Sequence, residues 1–279
     1  MNPPVLQIKN LRVLFPNYEN FSSGPVCAVQ GANLEVPEGL FTALVGGSGS
    51  GKSVTALSIC RLVTALSISG EIYFSSPGFG RQNLLQMKTS DLVQIRGKEI
   101  SYIFQDPSSS FNPVMKIGVQ IDEVRLAHSD VSKAEAKART MELLESVSLK
   151  DCGRIYGSFA HELSGGMKQR AMIAMALSSN PKLLIADEPT TALDVMTEME
   201  ILKLLAGLQK DRSLTVLFIT HDLSLAAQYA ERIFVMEKGL VIEGMEKQNG
   251  RFSPNHAYTK RLFKAHLGFG APKTLIEVE

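Results

Sequence analysis

Hydrophobic and polar positions change their period several times along this chain, and each change marks an element. From Leu6 to Phe15 apolar residues alternate with polar ones (Leu6, Ile8, Leu11, Val13), which predicts a strand pair or a bent edge strand. Pro16 to Gly24 is polar and aromatic and predicts a loop. Val26 to Val36 again reads as strand, closed by the turn Pro37-Glu38-Gly39. Phe41-Thr42-Ala43-Leu44-Val45 is an apolar run, the pattern of a strand buried on both faces, and Val54 to Ile59 starts a helix. Gly70 to Phe74 reads as a short strand, Ser75 to Gln82 as a loop rich in Gly, Pro and Ser, and Ile100 to Phe104 as another apolar strand.

Beyond Pro107 the period switches. Ile117–His128 and Ser132–Val147 have helical spacing, and Ser132 with Glu135 three residues on resembles a capping box. Between Pro107 and Ser164 no run has strand character, which predicts a helical subdomain inserted into an α/β core. Gly166 to Ser179 reads as a helix stopped by Asn180-Pro181. Leu183 to Ala186 is a buried strand, Asp194 opens a helix to Gln209, Thr215–Thr220 is a strand, and Leu223 to Ala230 is a helix. Two apolar runs around Glu237-Lys238-Gly239 predict a hairpin, and a last helix is predicted from Asn255 to Leu267. Strands alternating with helices after residue 40 imply a mostly parallel sheet with helices on both faces, whose ligands sit at the carboxyl ends of strands. Gly46, Gln105, Asp187 and His221 each follow a predicted strand directly, so the pattern predicts that four polar positions from distant parts of the chain would converge on one edge.

Composition narrows this picture. The chain has 279 residues, 44% of them hydrophobic, enough for a large core. Lys and Arg number 29 against 28 Asp and Glu; this balance predicts neither bulk nucleic-acid binding nor a charged membrane face. Cys27, Cys60 and Cys152 are scattered and form no zinc pattern. The N-terminal residues lack the pattern of a signal peptide, and no run approaches the ~20 apolar residues that span a bilayer. The expectation is a cytosolic chain whose membrane role comes through partners.

The chemistry concentrates first at Gly46-Gly47-Ser48-Gly49-Ser50-Gly51-Lys52-Ser53, followed by Val54. A Gly-rich loop between a buried strand and a helix points successive N–H groups at phosphate oxygens, and the helix N-terminus adds partial positive charge. Lys52 would reach the β- and γ-phosphates and the Ser53 hydroxyl would ligate Mg²⁺. Asp187, after four apolar residues, would hold Mg²⁺, and Glu188 would activate the attacking water as general base. Leu163-Ser164-Gly165-Gly166-Met167 is a second Gly-rich helix start with a Ser hydroxyl, a further phosphate-binding pattern that a simple NTPase does not need.

With these motifs on the page, the sequence resembles the ATP-binding-cassette (ABC) ATPases over nearly its whole length. The motifs run in family order: Gly46–Ser53 as Walker A, Gln105 as Q-loop, Leu163–Met167 as signature, Leu183–Glu188 as Walker B, Ala192-Leu193-Asp194 as D-loop, and His221 as switch histidine. The resemblance implies a RecA-like P-loop NTPase core with an N-terminal antiparallel β part over residues 1–106 and 165–250, a helical subdomain over 107–164, and a tail over 251–279. It also implies that two cassettes close head to tail on two ATP molecules. Leu163, Ser164, Gly165, Gly166 and Met167 would then act in trans on the partner's nucleotide. Gln105 would sense Mg²⁺ and the γ-phosphate, and His221 would position Glu188 and its water. Phe21 is the favoured aromatic stacked on adenine, with Tyr18 and Phe15 as alternatives.

Finer features are similar to the peptide/nickel importer branch: Gln105-Asp106-Pro107-Ser108-Ser109-Ser110-Phe111-Asn112-Pro113, the segments His161–Met167 and Ala186–Asp194, and the tail Ser253–Thr259, where Ala257 replaces a usual proline. That resemblance implies an import ATPase at the cytoplasmic face of the cell membrane. Its partners would be a second, distinct ABC ATPase, two integral membrane permease subunits and, indirectly, an extracytoplasmic solute-binding protein. A groove near Gln105–Ile121 would receive a helix from each permease. Its cargo would be a peptide or a nickel or metal-chelate complex. With no cysteine after Cys152, no iron–sulfur cluster is expected. The alternative is a soluble, non-transport ABC ATPase of DNA repair or translation; such proteins usually carry tandem cassettes, coiled coils or zinc insertions, which this sequence lacks.

Overall fold

The computed structural model describes residues 4–17, 24–191 and 193–267, for 266 and 267 the backbone alone. The chain divides into two compact units, one of residues 1–89 with 215–279 and the other of residues 90–214.

The first unit begins with two long strands, β1 (Pro4–Phe15) and β2 (Val26–Pro37), paired antiparallel. Their alternating apolar residues bury one face: Leu6, Ile8, Leu11 and Val13 of β1 are almost wholly shielded. Next come β3 (Phe41–Val45) and α1 (Lys52–Ile59), then β4 (Ser67–Ser76) and β5 (Gly80–Asn83), which extend the first sheet in the order β2-β1-β4-β5. The predicted strand at Gly70–Phe74 is thus longer than its apolar core, and part of the predicted loop at Ser75–Gln82 forms β5. Backbone pairing with β4 carries this polar segment into the sheet (Phe74 opposite Gln82, Ser75 opposite Arg81), and the apolar pattern does not report it.

The second unit opens with α2 (Thr89–Ile95), also unforeseen, held by buried Leu92 and Ile95, and β6 (Ile100–Ile103). Four helices follow without an intervening strand: α3 (Pro107–Ser110), α4 (Ile117–His128), α5 (Lys133–Ser146) and α6 (Cys152–Gly157). The α5 N-terminus is capped as its sequence suggests, the Ser132 hydroxyl accepting from the Glu135 N–H. One buried carboxylate ties three of these helices together. Asp122 of α4 accepts hydrogen bonds from Thr140 of α5, at 2.6 Å, and from Tyr156 of α6. Gly118 makes room for that Tyr156 ring, which would stand 2.0 Å from a Cβ there. The unit ends with α7 (Gly165–Leu177), β7 (Leu183–Asp187), which pairs parallel with β6, and α8 (Val195–Arg212).

The chain then returns to the first unit through β8 (Thr215–Thr220), α9 (Leu223–Tyr229), β9 (Arg232–Glu237), β10 (Leu240–Glu246) and α10 (Ala257–Leu267). There β3 runs parallel between β8 and β9, and β10 closes the predicted hairpin with β9. Every residue of β3 and β8 is buried, and Phe41 meets Phe218 edge-on at 5.6 Å. Covered on both faces, these strands need no polar alternation, which is why they read as unbroken apolar runs.

Candidate functional site

In the first unit the register of the parallel strands fixes the site. Val45 of β3 stands opposite Thr220 of β8, so Gly46 and His221 leave adjacent strands at the same level. The loop after β3 is wedged against the β9–β10 hairpin. A Cβ on Gly46 would lie 2.2 Å from the Met236 carbonyl, and the Gly239 N–H donates to the Ser50 carbonyl at 2.9 Å. Gly49 and Gly51 turn the loop with φ of 73° and 101°, the left-handed region where a side chain is strained. Gly51 delivers the chain into α1, whose first residue is Lys52. Lys52 is buried, and its ammonium donates to the carbonyls of Gly46 at 2.8 Å and Gly47 at 2.9 Å. The loop thereby encircles its own lysine.

Ser50 carries a buried hydroxyl with no hydrogen-bond partner among the described residues. An orphaned donor beside a buried ammonium and a helix N-terminus suits an anionic ligand, and phosphate oxygens in particular. Ser53 and Val54 follow in the first turn of α1. His221 is exposed, but its backbone is fixed on the C-terminal side. Asp222 caps α9 by accepting from the N–H groups of Ser224 at 2.7 Å and Leu225 at 3.1 Å, and its own N–H donates to Thr220 Oγ1 at 2.9 Å. Phe15 is the last residue of β1. Phe21 and Tyr18 lie outside the described residues, as does Ala192.

In the second unit β6 and β7 end together, Ile103 opposite Ala186. Beyond them the Gln105 amide donates to the Glu188 carboxylate at 3.4 Å, a long contact, and the Thr191 hydroxyl donates to the same oxygen at 2.8 Å. Glu188 holds φ of 44°, outside the range comfortable for a residue with a Cβ. Asp187 is almost fully buried, and its carboxylate accepts from the Tyr102 hydroxyl at 2.7 Å. Sequence reasoning missed Tyr102 and Thr191. Tyr102 was hidden inside an apolar strand, and its one legible sign is that it stands three residues before Gln105. Thr191 lies three residues after Glu188.

The other predicted residues of this unit gather at two helix starts. Ser164 caps α7, its hydroxyl accepting from the Met167 N–H at 3.4 Å. Leu163 anchors that turn in the core, whereas Ser164 and Gly165 are exposed. A Cβ on Gly166 would meet Thr197 Cγ2 at 2.8 Å, so the missing side chain lets the starts of α7 and α8 approach. Asp194 caps α8 through the Thr197 N–H at 3.0 Å and the Thr197 hydroxyl at 2.8 Å. These bonds, the backbone one foremost, hold its carboxyl below the usual carboxylate range. Beside it Val195 and Met196 are 70% and 71% exposed.

The first unit offers the hydroxyl of Ser53, and the second the amide of Gln105 and the carboxylate of Asp187, oxygen donors of the kind that suit a hard cation such as Mg²⁺. Among the described residues no helix is long and apolar enough to cross a membrane.

Comparison with known proteins gives this geometry a setting. A family model described as ABC transporter matches residues 29–191. The oligopeptide transport ATP-binding protein OppD of Bacillus subtilis (strain 168) is 44% identical, over 91% of this chain and 70% of its own. The dipeptide transport ATP-binding protein DppD of Lactococcus lactis subsp. cremoris (strain MG1363) is 42% identical, over 91% of this chain and 71% of its own. Among solved structures, the dimeric ATP-binding cassette MJ0796 in a post-hydrolysis state bound to ADP and Pi superposes with a TM-score of 0.75. It is 28% identical and covers 88% of this chain and 99% of its own.

Proposed function

Because this chain belongs to the ABC transporter family and is an ATPase of the α/β cassette fold, we propose that it energises peptide import, hydrolysing ATP to drive separate membrane subunits. One observation carries the ATP reading above the rest. The loop after β3 buries Lys52 against its own carbonyls and leaves the Ser50 hydroxyl without a partner among the described residues, an arrangement that suits phosphate. The peptide reading rests on the relatives, whose names specify oligopeptides and dipeptides. A nickel or metal-chelate cargo gains no support from them, nor does the soluble, non-transport alternative.

In this reading Gly46, Gly47, Ser48, Gly49, Ser50, Gly51, Lys52, Ser53 and Val54 bind the nucleotide, with Phe21 proposed against adenine. Ser53, Asp187 and Gln105 would hold Mg²⁺, which when bound would offset the charge of the phosphate oxygens. Tyr102 fixes the Asp187 carboxylate. Glu188, oriented by Thr191, takes a proton from water as its oxygen attacks the γ-phosphorus; the bond to the leaving ADP oxygen breaks, and His221 steadies the γ-phosphate. Leu163, Ser164, Gly165, Gly166 and Met167 serve the ATP of a partner cassette, with Asp194 beside them. Support for that partner comes from the exposed start of α7 and from the bare apolar side chains of Val195 and Met196.

The partner is proposed to be a second, distinct ABC ATPase, with the pair seated on two permease subunits at the cytoplasmic membrane face and fed by a solute-binding protein. Phe104, Val114 and Val119 expose apolar surface around the Gln105–Ile121 segment, 41%, 79% and 38% respectively, which favours docking of permease helices there. The test is purification of the tagged chain from its native membranes in mild detergent. Two integral membrane subunits and a second ATPase are expected, with ATP turnover stimulated by a peptide-loaded binding protein. A homodimer without membrane subunits, or turnover stimulated by nucleic acid, would sink the transport reading.

A further inference from the structure

Helix α10 belongs to the tail beyond the cassette motifs, yet it reaches the phosphate loop. Its docking lies wholly within the first unit. Phe252, Thr259 and Phe263 are fully buried, and α10 lies against α9. The turn ahead of it is pinned by Glu243 of β10, whose carboxylate accepts from the N–H groups of Asn255 at 2.6 Å and His256 at 3.2 Å. His256 Nδ1 in turn accepts from the Tyr258 N–H at 3.2 Å. The backbone at Tyr258 is therefore fixed from both sides: by hydrogen bonds before it and by buried side chains after it.

This docking decides where the phenol goes. The Tyr258 hydroxyl oxygen lies 3.6 Å from the point where a Cβ would stand on Gly47, the nearest heavy atom to that point apart from Gly47 and its two chain neighbours. Gly47 supplies one of the two carbonyls that hold Lys52. The loop is braced elsewhere by Met236 at Gly46, by Ala28 and Met236 at Gly51, and by Gly239 at Ser50. Tyr258 is what stands at Gly47. A tyrosine suits such a place, because its ring is stiff, with two side-chain torsions, and its hydroxyl both donates and accepts hydrogen bonds.

We propose that Tyr258 is a positioning residue of the nucleotide site, bracing Gly47 so that the loop keeps Lys52 aimed at phosphate, and that the segment 252–267 is thereby part of the ATP site. The proposal rests on the reading of this loop as the ATP site. Its test compares the full chain with Tyr258→Phe, Tyr258→Ala and Lys52→Ala, by mant-ATP titration with Mg²⁺ and by steady-state hydrolysis. Tyr258→Ala is expected to weaken mant-ATP binding and raise KM for ATP about tenfold with kcat held within about twofold; Tyr258→Phe, keeping the ring, should lose only about threefold. Unchanged binding and KM in both Tyr258 variants, with binding lost in Lys52→Ala, overturns the proposal and leaves the ATP site standing. Unchanged binding in Lys52→Ala as well overturns that site and the proposal together. A wild-type KM in Tyr258→Phe with a Tyr258→Ala chain that no longer melts cooperatively assigns Tyr258 to folding alone, and so also overturns it.

Discussion

Glu188 holds a backbone angle that costs a residue with a Cβ on the order of 1 kcal/mol or more. Its neighbours over-determine it: Asp187 before it is buried and bonded to Tyr102, Thr191 after it donates to its carboxylate, and the Thr191 N–H bonds its carbonyl at 3.3 Å. Strain kept at one carboxylate next to a buried one aims a side chain rather than fills a core. Glu188→Gln preserves size and leaves the Thr191 hydroxyl an acceptor, but removes the proposed base. Nucleotide binding by mant-ATP titration should survive, while turnover should fall at least about 100-fold, the scale of a lost general base. Wild-type turnover in that variant would remove Glu188 from its role.

Among the elements, the second unit's α4, α5 and α6 share the Asp122 carboxylate, and Tyr156 pays for its place by being hard to ionise. Burial first, and then the hydrogen bond to Asp122, push the Tyr156 phenol up to about 12. Folding therefore favours the protonated phenol. The stability this contributes is fully present below the ordinary phenol value of 10.0 and is lost as pH rises from there through about 12. Chemical denaturation between neutral and strongly alkaline pH should show this loss, and Tyr156→Phe, which lacks the titrating group, should flatten it. An unaltered slope in that variant would show that other groups govern alkaline unfolding. Gly118→Ala belongs to the same cluster: with Tyr156 atoms 2.0 Å from the new Cβ, either the ring or the helix must shift, at a cost of about 1–3 kcal/mol in thermal unfolding.

For the whole molecule, a ligand that binds only the folded chain raises its stability by mass action. In the Glu188→Gln variant, expected to hold ATP without consuming it, MgATP at one hundred times its dissociation constant should add about 2.7 kcal/mol. A rise in melting temperature is the readout, and Lys52→Ala should abolish it. A shift that persists in Lys52→Ala would place the nucleotide elsewhere.

Elements with strong periodicity could be read from the sequence. The strands at Phe41–Val45 and Thr215–Thr220 were legible because burial on both faces demands continuous apolar runs, and α4 and α5 because one-sided burial repeats every three to four residues. Gly46, Lys52, Asp187 and Glu188 stood out because a Gly-rich loop with a lysine between strand and helix, and an acidic pair after an apolar run, are local patterns, while Ser164 and His221 stood out through the family resemblance; the roles of all six are proposed. The rest follows from contacts between elements far apart in the chain. The strand β5 exists because β4 offers its edge, and polar Gly80–Asn83 carries no apolar signal of it. Tyr102 reaches Asp187 across 85 positions of sequence, and Tyr258 stands at Gly47 across an even longer separation. Such contacts depend on strand pairing and helix docking, which bring together residues whose local patterns say only strand, loop or helix.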